Sequence, residues 1–222
     1  MITLPFLTEE DFKIIDPLIS KIKFVDGKKT ANGAAKLAKT NEEADINDKN
    51  YQEAINYIYK KLFKDPYVSS YAHTRLITQP IINKASNGGA YGTHYDSTFM
   101  EFRDRQIRTD LSFTIFLKSP ETYDGGELQI EYPHNKVNVK LEKGGICLYP
   151  SARWHQVLPV TAGQRICCVG WIESNIRSES AREALWELAL FSKHLSALNA
   201  PQSTIFEFNK VSNFLIKTIS QI

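Results

Sequence analysis

Ala90-Tyr91-Gly92-Thr93-His94-Tyr95-Asp96 is the stretch on which the reading of this chain turns. Side chains alternate along a strand with a period of two, so His94 and Asp96 are expected on the same side of one. An imidazole and a carboxylate converging from one face supply two ligands of a 2-His-1-carboxylate facial triad. Such a triad covers three adjacent positions on non-haem Fe(II) and leaves the others open for substrate and oxygen. A tripeptide alone is a weak signal, because His-x-Asp also arises by chance on solvent-facing strands. The rest of the chain has to supply a second histidine and a β scaffold that brings it to the first.

The scaffold is legible on both sides of this stretch. From about Tyr71 the sequence runs in short β segments, at 73–77, 80–85, 90–96, 110–117, 127–132, 135–141, 145–149, 156–160 and 165–173. Turn chemistry separates them at Asn87-Gly88-Gly89, Asp124-Gly125-Gly126, Lys143-Gly144-Gly145 and Ala162-Gly163. Many short, evenly spaced strands predict a double-sheet jelly roll, mainly β with flanking helices and cupin-like in shape.

Helical patterns lie at either end. Thr8 before Glu9-Glu10-Asp11 reads as an N-cap and acidic first turn, followed by Phe12, Ile15, Leu18, Ile19 and Ile22 at helical spacing. Pro17 is expected to bend or interrupt that helix. Residues 24–31 read as a strand and turn. The small-residue stretch after them, with Lys36 and Lys39, reads as a loop placed to cover an active-site mouth. From 49 to 64, Ile55, Ile58, Tyr59, Leu62 and Phe63 predict a second amphipathic helix, stopped by Asp65-Pro66. Ser178 caps a third helix with Leu185, Leu188, Ala189 and Leu195, and a last one carries Ile205, Phe208, Val211, Phe214 and Leu215. The expectation is a single domain: N-terminal helical support over 1–70, a jelly-roll core over 71–175 and C-terminal helices over 176–222.

Composition narrows the function. With 222 residues, the chain has room for one substantial core. Hydrophobic residues at 42% and charged residues at 23% are ordinary for a soluble globular protein. A net charge of +2 argues against a nucleic-acid partner or an anionic membrane surface. No run approaches the roughly 18 apolar residues that a membrane span needs. The N-terminal residues lack a basic segment and reach acids within the first ten, unlike a secretory signal. Cys147, Cys167 and Cys168 are odd in number and sit in apolar surroundings, so they read as reduced core residues of a cytoplasmic protein.

The second histidine should come from a strand near the far end of the β region. His155, in Tyr149-Pro150-Ser151-Ala152-Arg153-Trp154-His155, is the candidate; its plain alternative is a histidine hydrogen-bonded at a strand start. Arg165 follows ten residues later. Arginine offers a planar fork of donors that suits a buried carboxylate and keeps its charge when desolvated. An iron oxygenase that uses 2-oxoglutarate needs such a group for the distal carboxylate. Asp110, Ser112 and Thr114 share a face of one strand. They either line the 2-oxoglutarate pocket or face solvent, with Leu111, Phe113, Ile115 and Leu117 forming the core. Tyr149 reads as a core tyrosine or as one packed near the site. His73, His134 and His194 have no ligand-like spacing.

These residues, with Arg108-Thr109-Asp110-Leu111-Ser112, Tyr123-Asp124-Gly125-Gly126-Glu127-Leu128 and Trp171-Ile172-Glu173-Ser174, resemble the PKHD-type hydroxylases over most of the chain. These are bacterial prolyl-4-hydroxylase-like Fe(II)/2-oxoglutarate dioxygenases. The resemblance implies a double-stranded β-helix with flanking helices, iron held by His94, Asp96 and His155, and 2-oxoglutarate held by Arg165. It further implies hydroxylation of an aliphatic C–H with release of succinate and carbon dioxide, and ascorbate as a reductant. The substrate stays open between prolyl or lysyl residues of a protein, a free amino acid and a small metabolite. Two departures touch it: Ala85 stands where the family usually carries an aromatic, often tyrosine, and the segment Thr40-Asn41-Glu42-Glu43-Ala44-Asp45 is altered. The rival from another class is a non-catalytic jelly-roll module that binds a metal or ligand. Retention of His94, Asp96, His155 and Arg165 together argues against it. A metal hydrolase on the same fold would leave Arg165 without a role.

Overall fold

Glycine and asparagine set the strand boundaries. In the computed structural model, which describes residues 1–29, 38–102 and 104–220, Asn87 and Gly88 take φ of 51° and 81° between two strands, and Gly144 takes 90° before another. Glycine tolerates these angles because it has no Cβ to clash.

The first strands are β1 (Ile2–Pro5), β2 (Phe24–Asp26), β3 (Lys39–Thr40), β4 (Glu42–Ala44), β5 (Thr74–Ile77), β6 (Ile81–Ser86) and β7 (Ala90–His94). A hairpin, β8 (Phe99–Phe102) and β9 (Arg105–Arg108), precedes β10 (Leu111–Phe116) and β11 (Tyr123–Gly125). Then come β12 (Leu128–Tyr132), β13 (Asn135–Val139), β14 (Gly145–Pro150), β15 (His155–Val157) and β16 (Val160–Ser174). Among the described residues the larger sheet runs β1-β14-β10-β16-β6-β4-β2, with β5 and β11 also paired to β16. The smaller sheet runs β13-β12-β15-β7-β3. Neighbours far apart in sequence and two sheets enclosing a shared interior make this a jelly roll.

The period of two divides β10 between two cores, which is why all six of its residues are buried. Leu111, Phe113 and Ile115 face the helices, packing with Phe12, Ile55, Ile58, Leu148 and Cys168. Phe116 faces the barrel interior with Cys147, Tyr149 and Cys167 of the large sheet and Leu128, Ile130 and Val139 of the small one. The three cysteines are buried free thiols.

Helices cover the outer face of the large sheet. In α1 (Glu9–Ile19), Thr8 and Asp11 form a reciprocal capping box, and Phe12, Ile15 and Ile19 are buried. Pro17 lies inside its last turn and the helix runs on to Ile19, so the expected interruption does not occur. Helix α2 (Lys49–Lys64) starts at the Asp48 cap and buries Ile55, Ile58 and Leu62. Phe63 departs from expectation: one step of about 100° past Leu62 takes it off the buried stripe, and it is 57% exposed. The chain ends in α4 (Glu179–Ala197), capped by Ser178, and α5 (Gln202–Ile219), after the short α3 (Pro66–Ala72) described below.

Other expectations need correction. The first 70 residues are not only helical support, because β1 to β4 join both sheets. Lys39, read as loop, lies in β3; Lys36, Thr30 and Ala31 lie outside the described residues. Asp65-Pro66 stops one helix and also starts α3, with Asp65 capping both Tyr67 and Val68 amides. Ala162-Gly163 is not a turn. Gly163, at φ 71°, lies inside the 15-residue β16, where it faces Tyr123 of β11. In α5 only Ile205 is buried, and Val211, Phe214 and Leu215 are exposed.

Candidate active site

Strand pairing brings the two histidines together. β7 ends at His94, β15 begins at His155, and the two residues are register partners. Asp96 is not on the strand, as the spacing had suggested. It lies two residues past the end of β7, where its amide donates to the carbonyl of Ser151 at 3.3 Å. One ligand atom from each of His94, Asp96 and His155 lies within 4.8 Å of the others, a separation that one metal ion would close.

The rings are oriented for that task. Nδ1 of His94 lies 2.7 Å from the Gly92 carbonyl, and Nδ1 of His155 lies 2.9 Å from the Arg153 carbonyl. A carbonyl only accepts, so each Nδ1 carries the proton and each Nε2 offers its lone pair. Burial, reinforced by the neighbouring His155, pushes His94 down to about 4, which keeps the imidazole neutral at physiological pH. Tyr91 stacks on His94 at 3.7 Å between centroids, and Tyr149 meets His155 edge-on at 5.1 Å. Ser112 Oγ donates to Asp96 Oδ2 at 2.5 Å and lies 2.8 Å from Ser151 Oγ.

Arg165 lies in the barrel interior on β16, in the sheet opposite the histidines. It is 2% exposed, its guanidinium sits 5.5 Å from the Phe116 ring centroid, and no carboxylate among the described residues pairs with it. Its Nε is buried with no hydrogen-bond partner among the described residues. A buried cation without an anion is costly unless something else supplies one. These residues fit the distal carboxylate of an oxo-acid, as the ligand cluster fits a divalent iron.

The other expected residues divide. Ser112 and Thr114 face the interior, the first held to Asp96 and the second hydrogen-bonded to Tyr149. Asp110 is instead clamped by Arg108 at 2.7 and 2.8 Å and accepts from the Ser174 amide at 2.8 Å. Two of the motifs that carry the resemblance thus meet as a structural clasp. Tyr149 is both a core residue and a neighbour of His155. His134 and His194 are exposed, and His73 caps α3 at φ 44°. Ala85 pairs directly across from Arg165, so that departure does lie beside the arginine. The second altered segment contains Glu43, which forms a buried ion pair with Lys39. Lys39 in turn lies 5.6 Å from the ring of Tyr91, the residue stacked on His94. Sequence reading passed over Tyr91 and Ser151. Tyr91 stands three residues before His94, within the quoted stretch itself, but only the pairing of β7 shows what it touches.

Residues 80–173, from the start of β6 almost to the end of β16, match the model of the 2OG-Fe(II) oxygenase superfamily. A PKHD-type hydroxylase of Hyphomonas neptunium is 35% identical over 92% of each chain. One from Acidovorax ebreus is 40% identical over 79% of this chain and 78% of its own. The chain belongs to the PKHD-type hydroxylases, and is thereby a 2-oxoglutarate-dependent dioxygenase. Among solved structures, the fold is similar to that of a Trichoplax adhaerens prolyl hydroxylase in complex with a peptide fragment of the hypoxia inducible factor oxygen degradation domain. That likeness has a TM-score of 0.59 at 16% identity and covers 83% of this chain and 86% of the other.

Proposed function

We propose that His94, Asp96 and His155 hold Fe(II), that Arg165 holds the distal carboxylate of 2-oxoglutarate, and that the product is a hydroxylated aliphatic carbon with succinate and carbon dioxide. When bound, the metal and oxo-acid supply the oxidising chemistry. The chain supplies geometry. Ser112 holds the Asp96 carboxylate in place, the Gly92 and Arg153 carbonyls fix both imidazole tautomers, and the apolar wall of Phe116, Leu128 and Ile130 keeps water from the interior. The observation that carries the reading is Arg165, a buried cation that no carboxylate among the described residues pairs with, on the sheet opposite the one that carries the histidines. A binding module without turnover gives no reason for that cost.

The substrate enters, in this reading, by a cleft of about 560 Å³ lined by Tyr59, Ser97, Phe99, Glu101 and Trp171. Ser97 follows Asp96 directly, and Trp171 is the register partner of Ser112. An aromatic and polar wall suits a prolyl- or lysyl-type residue or a small metabolite of like size. Ascorbate as reductant follows from the family likeness. No helix among the described residues is long and apolar enough to cross a membrane, and three buried thiols support a reducing, cytoplasmic setting. The experiment is a screen of peptides and metabolites for succinate release by the Fe(II)-loaded protein. A substrate whose turnover needs both Fe(II) and 2-oxoglutarate supports the reading. Turnover that continues without 2-oxoglutarate refutes it.

A further inference from the structure

The last helix carries apolar residues on two faces, and the chain covers one of them. Ile205 of α5 is buried, Phe208 packs on Phe191 of α4 at 5.3 Å between ring centroids, and Asn209 Oδ1 accepts from Ser192 Oγ at 2.8 Å. Elsewhere on the same helix Phe206 is 74% exposed, Phe214 69% and Val211 60%. Single apolar residues on a surface need no explanation, but a connected set rimmed by charge marks a place where something docks. Here Phe206, Lys210 and Phe214 form one i+4 ridge, and Glu207, Val211 and Leu215 form the next.

Area and charge say what fits these ridges. Of the residues outside the described structure only Leu37 and Ile222 are large and apolar, too few to cover the face. At roughly 200 Å² for a whole aromatic side chain, the open parts of Phe206 and Phe214 come to about 300 Å² per copy. Two copies together bring about 600 Å², half of the roughly 1,200 Å² at which specific interfaces begin. Val211, Leu215, the exposed Phe191 and the stems of the lysines add the rest. The charges are self-complementary along the helix, with Glu207 in its first half and Lys217 in its last turn. An acid among the phenylalanines disfavours an anionic membrane, whereas a second, antiparallel α5 brings a lysine to meet it.

We propose that this face is the seat of a second copy of the chain, in a two-fold dimer built on antiparallel α5 helices with the axis at Val211. Val211 stands next to the middle of Gln202–Ile219, so an axis there keeps the whole length of both helices in contact. It sets Val211 against its own copy. It also brings Phe206 within one turn of the partner's Phe214, and Glu207 within one turn of the partner's Lys217. A closed two-fold pair uses the same patch on both copies and leaves no second half exposed.

Sedimentation equilibrium of the full chain tests it. Wild type should sediment with twice the chain mass at micromolar concentration. Val211→Glu places two carboxylates face to face at the axis and should weaken association by about a hundred-fold or more. Val211 is exposed in the single chain, so the monomer of this variant should keep its fold by circular dichroism. The charge arm is independent of that residue. Glu207→Lys should weaken the dimer by about ten-fold, and adding Lys217→Glu to it should restore the affinity. A monomeric wild type overturns the proposal, whether or not it sediments with anionic vesicles. A dimer that Val211→Glu leaves intact overturns it as well, because the contact then lies elsewhere. Failure of the double reversal to restore association overturns the antiparallel register.

Discussion

The two ends of the barrel interior handle polar groups in opposite ways. At the histidine cluster, the polar atoms not aimed at the common point have protein partners: both Nδ1 atoms face carbonyls, Asp96 accepts from Ser112, and Ser112 touches Ser151. At the arginine end, Arg165 Nε and the Tyr123 hydroxyl are buried with none among the described residues. Paired groups fix a shape, whereas buried donors without acceptors leave a place for a ligand that brings its own. Substitutions at the first end should therefore disturb metal geometry, and those at the second should disturb a ligand while costing the free protein little.

The largest expected effect lies in the cluster. Asp96→Ala should abolish Fe(II)-dependent succinate release and strip the metal, since two imidazoles remain of three ligands. Ordinary hydroxylation by this variant would remove Asp96 from the ligand set.

At the other end, Arg165→Ala should weaken 2-oxoglutarate by roughly 2–5 kcal/mol, or about thirty- to several-thousand-fold, while iron binding is largely spared. Arg165→Lys should restore only part, having charge without the planar fork. The comparison sharpens in a melting experiment. Without oxo-acid, Arg165→Met should be at least as stable as wild type, because it removes an unpaired buried charge. A large fall in melting temperature would mean that Arg165 already has its partner within the protein.

A smaller effect is expected at Ser112. Ser112→Ala frees the Asp96 carboxylate to rotate and should lower Fe(II) affinity by about 10- to 100-fold, the usual reach of a group that orients a ligand. Equilibrium dialysis against Fe(II) measures it, and an unchanged affinity would show that Asp96 is held by its backbone alone.

Smallest is a control outside the barrel, where a polar cluster is closed on itself. Asp11 accepts from Thr8, Tyr57 and Lys61. Burial alone would push its carboxyl up, but the Lys61 ammonium and the hydrogen bonds from Thr8 and Tyr57 outweigh it and hold the group well below its usual 3.8. Asp11→Asn should cost about 1–2 kcal/mol of stability near neutral pH, with no change in 2-oxoglutarate affinity. Because the folded-state value is depressed, the unfolded chain takes up the proton first as pH falls. The contribution is therefore complete above about pH 5 and is lost progressively as pH falls below about 4 towards the depressed folded-state value. Urea titrations of both proteins across that range should show the gap closing at low pH; a gap that widens would reverse the sign of the linkage.

Much of this was legible in sequence because it depends on local rules. Thr8 and Asp11 announce their capping box by a three-residue spacing, and Asn87-Gly88-Gly89 and Lys143-Gly144-Gly145 announce turns by the φ that glycine permits. Alternation along β10 separated Ser112 and Thr114 from Leu111, Phe113 and Ile115, but could not say that both faces are covered. Ala162-Gly163 misled for the same reason: locally it is turn chemistry, and only Tyr123 on a neighbouring strand makes Gly163 a mid-strand residue. The strands β1, β3 and β4 are too short to show a period and exist by pairing with β14, β7 and β6.

The sequence by itself determined the residue types of the chemistry: a histidine and a carboxylate two apart, a second histidine opening a later strand, and an arginine ten residues on. Family likeness then joined them into one reaction class. Tertiary structure decided what surrounds them. His94 meets His155 through the β7–β15 register, Asp96 is set by a hydrogen bond to Ser151, and Tyr123, forty-odd residues before Arg165, packs with it against Gly126. The physical reason is that side-chain periodicity fixes which way a residue points, while strand pairing over long separations fixes what it points at.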